Sequence, residues 1–509
     1  MTEPGDPLPP GAGGELDTTA APPLRRLVAV NLGWGLASQT GARAVSAATA
    51  IVLARILVPA DYGVFAVATI VMELLISVND VGLFTAIVRH RGDMAVAAGT
   101  AVSLTMVSSA ALYAVSFAAA PWVASALNVP NAIPILRVAA LVVLIDALCS
   151  VPAALLTRAL RLGRRALAEA PGLVVNAVLT IWLARDGFGV WSLVWGRLAG
   201  AAVVAALLIA LAPQRPLPGF DRREARELLR FGLPLAGGGL LTLLLLNLDY
   251  IVVGRVLGPV QLGLYVVAFN ICTWPFQLVY LAVQRVSVVG FARLVGDRRA
   301  LGDGLNRSLA LLASGVLPGC LAIALLAGPV VRVVYGDRWA AAATAVPLLV
   351  VFGGVRTLEA LIENFLAGVG RSLAVLWISA AWLLSLLPAI ILGANLGGIR
   401  GVGAAHALVA AVIVFPLALS MTRPSGVDLR PFLGQLFRLA SAGLAAAGAV
   451  LLVSSALPGD VPRLLGGGAA AFVVYAAVWA AWPDLRGLLR VRGDHTAPFV
   501  PETPVTGPP

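Results

Sequence analysis

The chain has 509 residues, 60% of them hydrophobic and only 12% charged, with a formal net charge of +11. Its mean hydropathy is +0.93. A soluble domain is about half apolar and roughly a quarter charged, so this balance excludes a water-soluble enzyme, a nucleic-acid binder or a disordered scaffold and indicates a polytopic membrane protein. All 36 basic residues are arginine, and their excess is explained by the positive bias of cytoplasmic loops.

Residues 1–23 are rich in Pro, Gly and Ala, carry Glu3, Asp6, Glu15 and Asp17, and lack the basic start of a signal peptide. They read as a disordered cytoplasmic tail, and so do residues 486–509. Between them, apolar segments long enough to cross a ~30 Å hydrocarbon core recur steadily. Six form an N-lobe over 24–212: Leu27–Leu57, Gly63–Val88, Ala95–Ala120, Ile133–Leu156, Ala166–Leu183 and Gly189–Ala212. A charged linker, 213–230, contains DRREARELLR and suggests a short interfacial helix among anionic lipid headgroups. Six more segments form a C-lobe over 231–421: Phe231–Leu257, Leu262–Val288, Leu305–Val330, Ala343–Leu366, Ser372–Leu392 and Gly397–Met421. Two further segments, Leu433–Ala456 and Leu464–Trp482, occupy 422–485 and bring the total to fourteen.

Arginine alternates between the loops. One set holds Arg25/Arg26, Arg89/Arg91, Arg158/Arg161/Arg164/Arg165, Arg222/Arg223/Arg226/Arg230, Arg293/Arg298/Arg299, Arg371, Arg423/Arg430 and Arg486/Arg490/Arg492, and the other set holds few. That places both termini in the cytoplasm. Cys149, Cys272 and Cys320 lie in apolar runs without CxxC spacing, and His90, His406 and His495 are scattered. No disulfide, metal site or cofactor is expected.

Ile51–Ala68 (IVLARILVPADYGVFAVA) aligns without a gap with Ile251–Ala268 (IVVGRVLGPVQLGLYVVA) at an offset of 200. Arg55/Arg255, Pro59/Pro259 and Gly63/Gly263 are among the identical pairs. Each copy sits in the outer turn between the first two helices of a half. Six helices separate the copies, and an even number returns the chain to the same side, so the repeat is parallel. The fold class expected is an all-α membrane protein with two six-helix lobes around a central cavity, plus two added helices.

The stretches ARILVPADYGVFAVA, VNDVGLFTAIVRH, FGLPL and LNLDYIVVGRVLGPVQLGLY resemble the polysaccharide-transporter (Wzx-type oligosaccharide flippase) family of the multidrug/oligosaccharidyl-lipid/polysaccharide exporter superfamily. The resemblance covers roughly Leu27 to Met421. It implies alternating access by two lobes and, as cargo, a polyprenyl-diphosphate-linked oligosaccharide moved across a bacterial inner membrane. It also implies membrane lipids and a polysaccharide polymerase as partners. The competing readings are a cation-coupled multidrug or metabolite antiporter of the same superfamily, a lipid II flippase, and a polyprenyl-dependent glycosyltransferase or ligase. No Walker A, HExxH or GxSxG sequence is present, and the loops are short for an enzyme domain.

Charges in hydrocarbon cost at least ~2.5–3.5 kcal/mol on insertion scales and therefore face a cavity or a partner. Arg43 lies well inside the first span and either binds the diphosphate by its guanidinium fork or is neutralised by Glu73. Asp249 is either an interlobe gate or ion site, or a partner of Arg255. Arg356, Glu359 and Glu363 share one helical face. Arg356 and Glu359 can neutralise each other, which leaves Glu363 without a local partner as a cavity or ion-coupling carboxylate. Arg285 either meets the diphosphate or snorkels to headgroups. Asp80, Asp146, Arg197 and His406 are explained first by pairing within a lobe. Arg55 and Arg255 are expected to cap helix C-termini.

Overall fold

The computed structural model describes residues 41–80, 82–90, 92–214, 216–293 and 297–481. Regular structure among them is helical: α1 (41–56), α2 (Pro59–Asp80), α3 (Leu83–Arg89), α4 (Met94–Ala126), α5 (Ile133–Ala139), α6 (Val142–Arg158), α7 (Leu162–Arg185) and α8 (Val190–Leu211) form the N-lobe. The C-lobe follows with α9 (Arg222–Leu246), α10 (Leu248–Arg293), α11 (Arg298–Leu325), α12 (Ala327–Val334), α13 (Val346–Gly368), α14 (Ser372–Leu408) and α15 (Phe415–Thr422). Two additional helices, α16 (Arg430–Ala456) and α17 (Asp460–Ala481), pack on its α11 and α12. Helices are the natural answer to hydrocarbon, because each satisfies its own backbone polar groups.

Nine described runs are long and apolar enough to cross a membrane, and the bent pair 337–344 with Val346–Gly368 makes a tenth. One of the nine, Ser372–Ser425, is two spans joined at Gly397 and Gly398. Helices α1, α9 and α17 fall, in the same order, on further segments read as spans from the sequence. The two tails, Leu27–Thr40 of the first span and Trp482 lie outside the described residues.

Helix starts at the arginine-rich end are set by aspartate. Asp93 accepts from the Ala95 N–H at 2.8 Å, Asp221 from Arg223 and Glu224 at 2.8 and 2.9 Å, and Asp297 from Arg299 and Ala300 at 3.0 Å. Each cap satisfies donors the first helical turn leaves free. The linker differs from the separate interfacial helix expected of it. DRREARELLR forms the opening turns of α9 and runs without a break into the apolar part of that helix. Leu228 is buried in a cluster with Leu83, Ile87, Ala98 and Ala101, while Arg222, Arg223, Arg226 and Arg230 stay exposed. The helix thus starts early because one face of the charged segment already has an apolar surface to bury.

Within α10 a break falls at Gly258, with φ 82° and ψ 177°. It stands where Val58 separates α1 from α2 in the first copy, so both lobes turn at the same register. The lobes meet chiefly along α2 and α10. Inside the lobes, helices approach at glycine pairs: a Cβ built on Gly200 would sit 2.7 Å from the Gly172 carbonyl oxygen. Gly200→Val should therefore lower the stability of the detergent-solubilised protein by the ~1–3 kcal/mol typical of overpacking. Gly237→Ala, where a Cβ meets nothing within 4 Å, should leave the melting temperature unchanged or slightly higher.

Candidate functional site

The duplicated turns touch each other. Gly63 lies under the Pro259 carbonyl and Gly263 under the Pro59 carbonyl, and a Cβ on either glycine would be 1.8 Å from the facing oxygen. The repeated arginines reinforce this seam across the lobe boundary. Arg55 Nε donates to the Val334 carbonyl at 3.0 Å, and its Nη2 donates to the Val333 carbonyl. Arg255 Nη1 donates to the Ser125 carbonyl at 3.4 Å, while Asn128 Nδ2 donates to the Arg255 carbonyl at 2.7 Å. Both arginines do cap helix ends, but those of the opposite lobe: the last turns of α12 and α4, whose carbonyls carry the negative end of the helix dipole. Trp339 closes the middle. It is buried, its Nε1 donates to the Ala54 carbonyl at 2.7 Å, and its ring meets Tyr62 edge-on at 5.0 Å. Beyond the seam, Arg332 holds Asp460 by two hydrogen bonds of 2.7 and 2.8 Å, ties α17 to α12, and keeps that carboxyl below the usual aspartate range.

At the arginine-rich end α9 is bound to the N-lobe. Gly82, at φ +63°, lies under the Gly232 backbone, and the Arg89 guanidinium sits 4.8 Å above the Phe231 ring. His90 Nε2 and Glu224 Oε2 are 3.6 Å apart. Arg158 Nη1 gathers the Ile87, Val88 and His90 carbonyls at the end of α3.

Between these two ends each lobe carries a polar pocket. In the N-lobe a cavity of about 520 Å³ is lined by Asp146, Arg165, Glu169, Asn176 and Arg197. A smaller one beside it, sharing Asn176 and Arg197, holds Thr49, Thr69 and Glu73. Glu73 faces Arg197 and Asn247, the latter at the α9–α10 junction, rather than Arg43. Arg43 keeps a buried Nη1 with no hydrogen-bond partner among the described residues. The Arg43–Glu73 pair considered from sequence is therefore not formed.

The C-lobe pocket, about 320 Å³, holds Asp249, Arg356, Glu363, Trp382 and His406. Asp249 is buried, accepts from the Tyr265 hydroxyl at 2.7 Å and lies 3.9 Å from His406 Nε2. Its partner is thus neither Arg255, which reaches the other lobe, nor a group across the interface. His406 is oriented by a 3.0 Å contact from Nδ1 to the Val402 carbonyl, and a π-helical turn, Val409–Val414, follows it. Glu363 is not without a local partner. Arg356 Nη1 lies 3.2 Å from both Glu359 and Glu363, because the long guanidinium stem spans two turns of α13. Trp382 Nε1 donates to the two Glu359 oxygens at 2.9 and 3.1 Å. Arg285 lies on α10 and Asp80 ends α2, but their side chains are not among those described. Reasoning from the sequence missed Trp339, Asn128, Tyr265 and Trp382. The signal available was chemical: an indole or phenol in an apolar run needs a partner for its N–H or O–H.

A family model described as "Polysaccharide biosynthesis protein" matches residues 52–344, more than half of the chain. The chain belongs to that family. It is 26% identical over 460 residues to the succinoglycan biosynthesis transport protein ExoT of Rhizobium meliloti (strain 1021), covering 89% of this chain and 92% of the relative. It is 23% identical to the lipopolysaccharide biosynthesis protein WzxC of Escherichia coli (strain K12), over 69% and 72% of the two chains. Among solved structures, the lipid II flippase MurJ in an inward closed conformation aligns with a TM-score of 0.73 at 14% identity, covering 90% of this chain and all of that one. An inward-facing multidrug resistance MATE transporter aligns with a TM-score of 0.59 at 17% identity, over 78% and 94%. These two likenesses establish the two-lobe fold.

This member of the polysaccharide biosynthesis family should open at the seam when its glycines are filled. In a Cys149→Ala background, a cysteine introduced by Ala54→Cys, at a position fully buried in the seam, should resist a water-soluble maleimide. Adding Gly263→Leu should speed its labelling at least tenfold; equal labelling rates would show that the glycine contact does not hold the seam closed.

Proposed function

We propose that this protein moves polyprenyl-diphosphate-linked oligosaccharides across a bacterial inner membrane for cell-surface polysaccharide synthesis, as a transporter without a catalytic step of its own. Both termini would lie in the cytoplasm, and a polymerase on the far side would consume the cargo. Family membership supports the reading, together with relatives whose names place them in succinoglycan and lipopolysaccharide synthesis. The single observation that carries it to this chain is cationic. Arg43 on α1 carries a buried guanidinium nitrogen with no partner among the described residues, and Arg356 exposes 40% of its side chain in the C-lobe pocket. Guanidinium forks suit a diphosphate, and an unpaired one kept away from water is costly unless a ligand completes it. By contrast, Glu73, Asp249, Glu359 and Glu363 are each held by a cation or a hydrogen-bond donor, which disfavours an antiporter for organic cations.

In this scheme Arg43, Arg285 and Arg356 with Glu363 hold the headgroup and sugars, and the polyprenyl tail stays in lipid. Asp249, Glu359 and Asp80 serve gating or ion coupling. The seam of Arg55, Pro59 and Gly63 with Arg255, Pro259 and Gly263 is the outer gate. Rocking of the lobes would open it while the contacts around Gly82 and Gly232 close the other end.

The test is mass spectrometry of polyprenyl lipids in cells depleted of the protein. A diphosphate-linked oligosaccharide should accumulate while the matching surface polymer disappears; an unchanged lipid pool with intact surface glycans would overturn the proposal. Arg43→Ala and Asp249→Asn should each leave the protein inserted at normal abundance and reduce export at least tenfold in the same assay. Wild-type export by either variant would remove that residue from the mechanism.

A further inference from the structure

We propose that the C-lobe pocket is a subsite for one sugar ring of the cargo, with the ring lying against Trp382 and Phe352 and hydrogen-bonded by Arg356. The inference rests on the flippase reading above and specifies which part of the cargo this pocket takes.

Two aromatic walls stand at a right angle. The Phe352 and Trp382 ring centroids are 5.7 Å apart with an interplanar angle of 86°, and Phe269 lies 6.1 Å from Phe352. A pyranose presents a C–H face and an equatorial rim of hydroxyls. The C–H face packs on the electron-rich face of an aromatic ring, and the rim needs donors and acceptors in one plane. The pocket offers both. Its 320 Å³ is at the lower end of the ~300–1,000 Å³ of ligand pockets, the scale of a small subsite rather than of a whole lipid-linked oligosaccharide.

The polar side is arranged for a ligand rather than for internal pairing alone. Glu359 and Glu363 both lie against Nη1 of Arg356, at 3.2 Å each. Nε and Nη2 of that guanidinium make no hydrogen bond among the described residues, and the side chain is 40% exposed while Glu359 is fully buried. A ligand therefore meets the free donors of Arg356 beside the carboxylates of Glu363 and Asp249. Ser379, exposed on the neighbouring helix α14, adds a hydroxyl at the pocket wall. Glu359 is withdrawn behind the arginine and the Trp382 N–H, while Glu363 and Asp249 reach the pocket lining, where their oxygens can accept from sugar hydroxyls. Neutral sugars fit these groups, because one ring of hydroxyls can take the free N–H groups of the fork and donate to the lining carboxylates.

Saturation-transfer NMR on the full-length protein in detergent tests the proposal, with methyl β-glucoside, methyl β-galactoside and methyl β-glucuronide as probes and tetraphenylphosphonium as a cationic comparison. Ring protons of at least one glycoside should receive saturation. Ser379→Phe fills the pocket without touching the Arg356 carboxylate network and should cut that signal at least fivefold. Trp382→Phe should weaken it, and Trp377→Phe, on the exposed side of the same helix, should not. Absence of glycoside signal, equal signal in Ser379→Phe, or saturation of tetraphenylphosphonium alone would overturn the subsite. If cells depleted of the protein still accumulate the lipid-linked cargo while no glycoside binds, the flippase reading stands and only the sugar pocket falls. If glycosides bind in a Ser379-dependent way but the lipid pool is unchanged, the sugar pocket stands and the flippase reading falls.

Discussion

Hydrocarbon offers no counter-charge and no hydrogen bond, so every polar group this chain carries into its spans has to be answered from within the protein. That constraint orders the interior. Arg356 binds two carboxylates on its own helix, Asp249 takes a tyrosine hydroxyl and lies near a histidine, and Glu73 faces Arg197 and Asn247. The groups answered only in part are then the informative ones. Arg43 and the outer nitrogens of Arg356 retain donors that nothing described in the protein takes up.

The same constraint explains the difference between the two kinds of interlobe contact. Where the lobes meet in the repeated turns, they use backbone carbonyls at helix ends as acceptors, with arginines reaching across from the other lobe. Helix ends are the places in an all-helical protein where the backbone still has acceptors to give. Among the described residues the arginines of the seam, Arg55, Arg255 and Arg338, are exposed, so the seam can part without stranding a buried charge. At the opposite end a cation over an aromatic ring and a histidine–carboxylate approach do the holding.

The fold was largely legible in the sequence because its determinants are repetitive. Apolar length set the helical segments, and the gapless match of Ile51–Ala68 to Ile251–Ala268 set the two-lobe plan. The continuation of 221–230 into α9 was not legible, since it depends on Leu228 finding an apolar neighbour 145 residues earlier, at Leu83. The site was legible only as a set of charged residues. Spacing of three and four placed Arg356, Glu359 and Glu363 on one face, yet a span of seven was needed for Arg356 to reach Glu363 as well. Asp249 was singled out by its charge alone, and its neighbours Tyr265 and His406 lie 16 and 157 positions further along the chain. Arg55 and Arg255 were recognised as a pair without any sign that each serves the other's lobe. Partners across a packed interface leave no period in the chain, and only three-dimensional proximity reveals them.

The reciprocal glycines bear on how such a chain can change over time. Because Gly63 meets the turn of the second half and Gly263 that of the first, the two halves of the duplication are not independent modules that happen to be tethered. A larger residue in one turn has to be accommodated by retraction of the other. A hybrid joining the first half of this chain to the second half of a distant relative would inherit two surfaces that had never been fitted together. The duplication that created the two lobes thus also bound them, making each half the template against which the other must be read.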